Sequence, residues 1–152
     1  MIDVVNDIFS KEERKKCLKD LQPLLVKFPN CPGKQTHPTL HLHPQFTSLI
    51  ERMLELTIKS TGEDLEILNA WGKQSDGKKN KMNWHIHAWD GCLYSCVYYL
   101  KVPFFMANGT LFKEKFIRAP QNSLLIFSSN LEHTTPSHPF GIQRYIISAN
   151  FK

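Results

Sequence analysis

No stretch of this chain approaches the roughly 18 consecutive apolar residues of a membrane-spanning helix, so no span is expected. The N-terminus, MIDVVNDIFSKEERKK, places acids ahead of its basic residues. It lacks the apolar core and small-residue cleavage site of a signal peptide, and the cytoplasm is the expected compartment. Cysteine is scarce: Cys17, Cys31, Cys92 and Cys96 include no CxxC pair, which argues against a disulfide framework and for thiols buried as small hydrophobes. A zinc site using Cys92, Cys96 and a histidine lacks the usual ligand spacing. Internal repeats, linkers and low-complexity tracts are missing too. Acids are the minority charge, with 14 Asp and Glu against 19 Lys and Arg, leaving +5.

What is present suits one globular domain. Hydrophobic residues make up 41% of the 152 positions and aromatics 11%, enough for a core without disulfides or a structural metal. Residues 1–62 read as a mostly helical part packing on a barrel core of 63–152. Part of the positive charge sits in GKQSDGKKNK, where Lys73, Lys78, Lys79 and Lys81 surround one acid. This run is either a solvated hairpin tip or a positive rim for an acidic partner such as nucleic acid.

Ser10 with Glu13 three residues on is a capping box, and Cys17, Leu18 and Leu21 follow at helical spacing, predicting a helix over about 10–22. Pro44 can open a second helix whose stripe of Phe46, Leu49, Ile50, Met53, Leu54 and Ile58 ends at Gly62. From Leu65 the texture changes to short β-prone runs between turn residues: LEILNAW, NWHIHAW, LYSCVYYLKV, TLFKE, KFIRA, SLLIFSS and QRYIISANF. About six to eight strands are expected, forming an antiparallel sandwich or barrel with the helices outside one sheet.

Histidine carries the functional signal. His85 and His87 stand at i and i+2, which on a strand puts both imidazoles on one face, and His133 follows the run SLLIFSS. The trio can hold a metal, though residue type alone does not choose among iron, zinc, copper and nickel. The HxH pair also fits surface or hydrogen-bonded core histidines. His41 and His43 form another such pair, discounted because it leads into a helix between prolines, and His138 reads as a loop residue. By alternation Trp84 and Ile86 face away from the pair, so Trp84 is expected between sheet and helix and Trp89 nearer a pocket.

Around these positions the chain resembles the 2-oxoglutarate and Fe(II)-dependent oxygenases, especially small prolyl-hydroxylase-like members. The likeness runs through DIFSKEE, EILNAW with Trp71, WHIH, SCVYYLKVP, NGTLF, APQNSLLIFSSNLEHTTP and RYIISANF, most of the chain. It implies a double-stranded β-helix, a jelly-roll barrel with N-terminal helices, hydroxylating a C–H bond with release of succinate and carbon dioxide. It also implies Fe(II) held by His85, His87 and His133, with Arg144 and Tyr99 binding the distal carboxylate of 2-oxoglutarate as co-substrate. Tyr98 is adjacent, and a one-residue slip exchanges their faces.

The chain departs from the commonest pattern by carrying His87 where an Asp or Glu usually completes the ligand set. Asp90 is the alternative carboxylate, as ligand or as a support for a ligand imidazole. Ser148 and Asn150 share the phase of Arg144 and belong to the same interior. A cupin-type metal enzyme uses a similar barrel but has a Glu after its histidine pair, absent here. A metal-free barrel binding nucleic acid through its lysines is a third reading. Substrate and oligomeric state are not legible.

Overall fold

The computed structural model describes residues 1–29, 31–75, 82–104, 108–136 and 143–152. Among them the chain runs β1 (Ile2–Val5), α1 (Lys11–Leu21), β2 (Lys34–Gln35), α2 (Thr47–Thr61), β3 (Ile67–Ser75), β4 (Tyr94–Lys101), β5 (Gly109–Phe112), β6 (Phe116–Arg118), β7 (Leu124–Ser128), β8 (His133–Thr134) and β9 (Arg144–Phe151).

The helix ends follow local chemistry. Ser10 accepts from the Glu13 backbone N–H at 3.2 Å while the Glu13 carboxylate accepts from the Ser10 N–H at 2.7 Å, satisfying two donors the first turn cannot. Pro44–Phe46 forms a short 3-10 turn leading into α2, which stops at Gly62 with φ +75°, a left-handed conformation that a side chain would disfavour.

The strands form two antiparallel sheets, ordered β1-β7-β4-β9-β3-β2 and β6-β5-β8. Strand alternation divides the large sheet sharply. Tyr145, Ile147, Ala149 and Phe151 of β9, with Tyr98 and Leu100 of β4 and Leu124 and Ile126 of β7, pack against Cys17 and Leu21 of α1 and Leu49, Ile50, Met53 and Leu56 of α2. Each large apolar side chain buried there contributes about 1.5–3 kcal/mol. β3 comes so close to α1 that a Cβ on Gly72 would meet a Leu21 methyl at 2.3 Å. The opposite face of the same strands turns toward the small sheet, where Tyr99, Phe112, Leu125 and Phe127 make a lesser core beside a cavity.

The N-terminal part does more than add helices. β1 pairs with β7, register Ile2 to Phe127, and β2 pairs with β3, so both edges of the large sheet come from residues before α2. Neither strand is evident from the sequence. Asn122, itself at φ 67°, binds the Phe9 N–H and carbonyl and accepts from the Tyr98 hydroxyl at 3.0 Å, fastening the segment before α1 to the turn before β7.

Candidate metal centre and cavity

The segment carrying His85 and His87 is extended but is not the full strand that NWHIHAW suggests. Two backbone hydrogen bonds of 3.1 and 3.0 Å join His85 to His133, and the His87 N–H donates to Ser129 O at 2.8 Å. Beyond these points Asp90 and Gly91 adopt φ 50° and 78° and turn the chain into β4. Two-residue alternation nevertheless survives, so both imidazoles turn inward. Trp84 correspondingly points outward, and at 41% exposed it corrects the expectation that it packs between sheet and helix. Trp89 covers the His87 ring, centroids 4.9 Å apart, while Trp71 stacks on His87 at 5.9 Å.

One possible ligand atom from each of His85, His87 and His133 falls within 4.8 Å of the others. The Nδ1 atoms of His85 and His133 lie 2.8 and 2.9 Å from the carbonyls of Asn83 and Leu131. Carbonyls only accept, so each Nδ1 carries a proton and each Nε2 is the ring nitrogen left to meet a metal. The buried His87 ring has the Asn150 side chain as its polar neighbour. Burial first, then the neighbouring His133 and His85, pushes the His87 pKa down to about 3. Burial likewise lowers His133 to about 4. Both rings are therefore neutral near pH 7, the protonation state that can ligate. Three inward imidazole nitrogens fit a first-row divalent cation.

Asp90 is exposed in the turn after Trp89 and lies outside the cluster of potential ligand atoms. His41 and His43 also lie outside the cluster, and Cys92 and Cys96 are buried free thiols. His138, Lys78, Lys79 and Lys81 fall outside the described residues.

The cavity is narrow, with about 70 Å³ of enclosed space. Its floor is the inner face of the large sheet. Cross-strand pairs Trp71–Ser148, Lys73–Ile146 and Ser75–Arg144 set the order along it. Trp71 and Ser148 lie toward the histidines, and Arg144 lies toward the other end. Arg144 is 4% exposed. Burial lowers its pKa while the neighbouring Tyr99 works in the opposite direction. Tyr99 lines the cavity, its hydroxyl 2.9 Å from Thr110 Oγ1. Tyr98 is on the other face, edge-on to Phe9 with ring centroids 5.2 Å apart. Ser148 and Asn150 line the cavity as their phase implies. Asn150 is fixed by Ser95 Oγ donating at 2.7 Å and by its own donation to Asn69 at 3.0 Å.

Lys73 departs from expectation. Grouped by sequence with a solvated lysine run, it is only 6% exposed and projects into this cavity. The sequence does hold the signal: Lys73 shares the phase of Trp71 on β3, whereas charge clustering alone suggests a surface. Thr110 and Gln35 are further cavity residues with no motif to mark them.

No family profile matches the sequence, and no curated protein is similar to it at a significant level. Solved structures are similar in shape. HygX from Streptomyces hygroscopicus, with nickel, 2-oxoglutarate and hygromycin B bound, superposes with TM-score 0.76 at 16% identity over 99% of this chain and 82% of its own. The viral collagen prolyl hydroxylase of Paramecium Bursaria Chlorella virus-1 gives 0.74 at 14% identity, covering 99% and 88%. A Pseudomonas putida prolyl-4-hydroxylase gives 0.73 at 12%, covering 99% and 91%. This chain has their double-stranded β-helix fold. The two facing sheets and the crossovers between sequence-distant strands are that fold in this molecule. No helix among the described residues is long and apolar enough to cross a membrane.

Proposed function

We propose that the protein is an Fe(II)- and 2-oxoglutarate-dependent oxygenase that hydroxylates a C–H bond, residues 1–62 and 63–152 acting as one unit. The observation that carries this reading is a single cavity with three converging imidazoles at one end and a buried guanidinium beside a tyrosine at the other. His85, His87 and His133 would hold the metal, and Arg144 and Tyr99 the distal carboxylate of 2-oxoglutarate. The bound iron and co-substrate supply the oxidising chemistry, with succinate and carbon dioxide as by-products.

The chain's own contribution is placement. Carbonyls of Asn83 and Leu131 hold two imidazoles in one tautomer and orientation. Trp71 and Trp89 each stack against the third. The Arg144 fork suits a carboxylate gripped through two hydrogen bonds, and burial strengthens that pairing by excluding water. His87 in place of a carboxylate leaves the centre about one unit more positive, favouring a dianionic co-substrate. Four free thiols suit a reducing compartment, and we place the protein in the cytoplasm.

Anaerobic addition of Fe(II) and then 2-oxoglutarate tests the reading. A visible charge-transfer band from bidentate keto-acid binding is expected, followed on aeration by succinate. If Fe(II) and 2-oxoglutarate together leave the visible spectrum unchanged, the assignment fails.

A further inference from the structure

The proposed chemistry gives Lys73 no task. On β3 it stands between Trp71, which stacks on His87, and Ser75, which pairs with Arg144, so its position lies between the two ends of the cavity. Its Nζ makes a 3.1 Å contact with the Met82 thioether, a weak acceptor. The neighbouring Cys31 thiol donates to Gln35 Oε1 at 3.0 Å, and the other charged neighbour, Arg144, is itself a cation. Burial lowers the lysine pKa. Keeping an ammonium in such surroundings costs several kcal/mol unless a counter-charge arrives from outside.

A second cavity, of about 330 Å³, opens beside the first and is lined by Cys31, Pro32, Gln35, Lys73, Met82, Asn83 and His85. Gln35, Lys73, Met82 and His85 line both, whereas Arg144 lines only the inner one. A molecule in the outer cavity therefore approaches the histidines past Lys73. Neither cavity has an Asp or Glu among its described lining residues. Among the described residues no carboxylate stands against the Lys73 ammonium, and the distal carboxylate of 2-oxoglutarate is assigned to Arg144.

We infer that Lys73 is a substrate-binding residue, anchoring an oxyanion of the substrate, carboxylate or phosphate, in the outer cavity beside His85. This rests on reading the inner cavity as the metal and 2-oxoglutarate site. It makes the substrate anionic, oriented by its charged group so that a nearby C–H bond faces the histidine end.

The test uses the full chain loaded with Mn(II) and 2-oxoglutarate, titrated separately with acetate and with inorganic phosphate while chloride holds ionic strength constant. Tryptophan fluorescence reports binding, because Trp71 lines the inner cavity. At least one anion should bind saturably, acetate pointing to a carboxylate substrate and phosphate to a phosphorylated one. Lys73→Met should weaken that binding about tenfold or more, and Lys73→Arg should retain it. Lys73→Met should also melt at the same temperature as the parent or higher, since it removes a desolvated charge. The inference is overturned if neither anion binds above chloride, or if Lys73→Met leaves binding unchanged. It is equally overturned if Lys73→Met weakens 2-oxoglutarate binding as much as Arg144→Met, because the ammonium then serves the co-substrate. The same titration on metal-free protein separates the two readings. Lys73-dependent anion binding without Mn(II) or 2-oxoglutarate uptake sinks the oxygenase and spares the anion site.

Discussion

The two faces of β9 differ by one residue of phase and by almost everything else. Tyr145, Ile147, Ala149 and Phe151 meet the helices in a mainly apolar core, while Arg144, Ser148 and Asn150 on the other face line the cavity with Ile146. Both faces are buried, so burial alone does not mark the site. What marks it is polarity kept at a cost: a guanidinium, an ammonium, two buried imidazoles and a fixed carboxamide where apolar side chains would pack more readily. One face stabilises the protein, and the other spends part of that stability on holding polar groups in place.

Exchanging a residue on each face should break this contrast most visibly. His133→Ala removes one of three clustered imidazoles, so Fe(II) binding, the charge-transfer band and succinate formation should all vanish while metal-free protein stays folded. Ile147→Ala on the helix-covered face should cost about 2–5 kcal/mol in denaturant titration and leave the band at full intensity in the folded fraction. Loss of the band in Ile147→Ala at full folding would show that the faces are not independent.

Arg144→Met separates the two ends of the cavity. Metal uptake should persist, whereas the 2-oxoglutarate concentration for half-saturation should rise about 30-fold or more, the equivalent of the 2–5 kcal/mol lost when a buried charge pair is broken. An unchanged requirement would remove Arg144 from the site.

Acid sharpens the comparison through the histidines. In the unfolded chain each imidazole titrates at its ordinary value of 6.5, but folded His87 and His133 resist protonation until about 3 and about 4. Below 6.5 the unfolded state therefore binds more protons. Stability is full above that pH and falls as pH drops toward 4, by about 1.4 kcal/mol per pH unit for each proton taken up. Melting curves of metal-free protein from pH 7 to 4.5 should show the decline, and a His87→Gln/His133→Gln variant should flatten it. A parallel decline in both proteins would place the acid sensitivity elsewhere.

Much of this was legible because it is local or periodic. The Ser10–Glu13 box, the stripe of α2 and the alternation of β4 and β9 each depend on near neighbours, and the structure holds all three. The gathering of His85, His87 and His133 was also legible, from i, i+2 spacing plus a family resemblance. Edge strands β1 and β2 were not, because they owe their form to distant partners: Ile2 lies opposite Phe127 and Lys34 opposite Gln74. Trp84 was misplaced for a related reason. Alternation gave the side of the chain correctly, but nothing local reveals that this side is exposed. Lys73 shows the converse, a charge in a basic run that the pleat of β3 turns inward.

The smallest expected effect comes from adjacent residues on β4, where a hydroxyl is removed from each face in turn. Tyr98 OH donates to Asn122 at 3.0 Å, and Asn122 also ties down Phe9, so Tyr98→Phe should cost about 1 kcal/mol of stability and leave 2-oxoglutarate binding untouched. Tyr99 OH lies against Thr110 in the cavity, beside Arg144. Tyr99→Phe should raise the 2-oxoglutarate requirement about five- to tenfold, the worth of one ordinary hydrogen bond, with a small change in melting temperature. Both variants keep the ring, and so keep the packing on either side of the strand. The pair therefore asks only which face each hydroxyl serves. If Tyr98→Phe moves co-substrate binding and Tyr99→Phe does not, the register of β4 relative to the cavity is shifted by one residue, and the division between the faces falls with it.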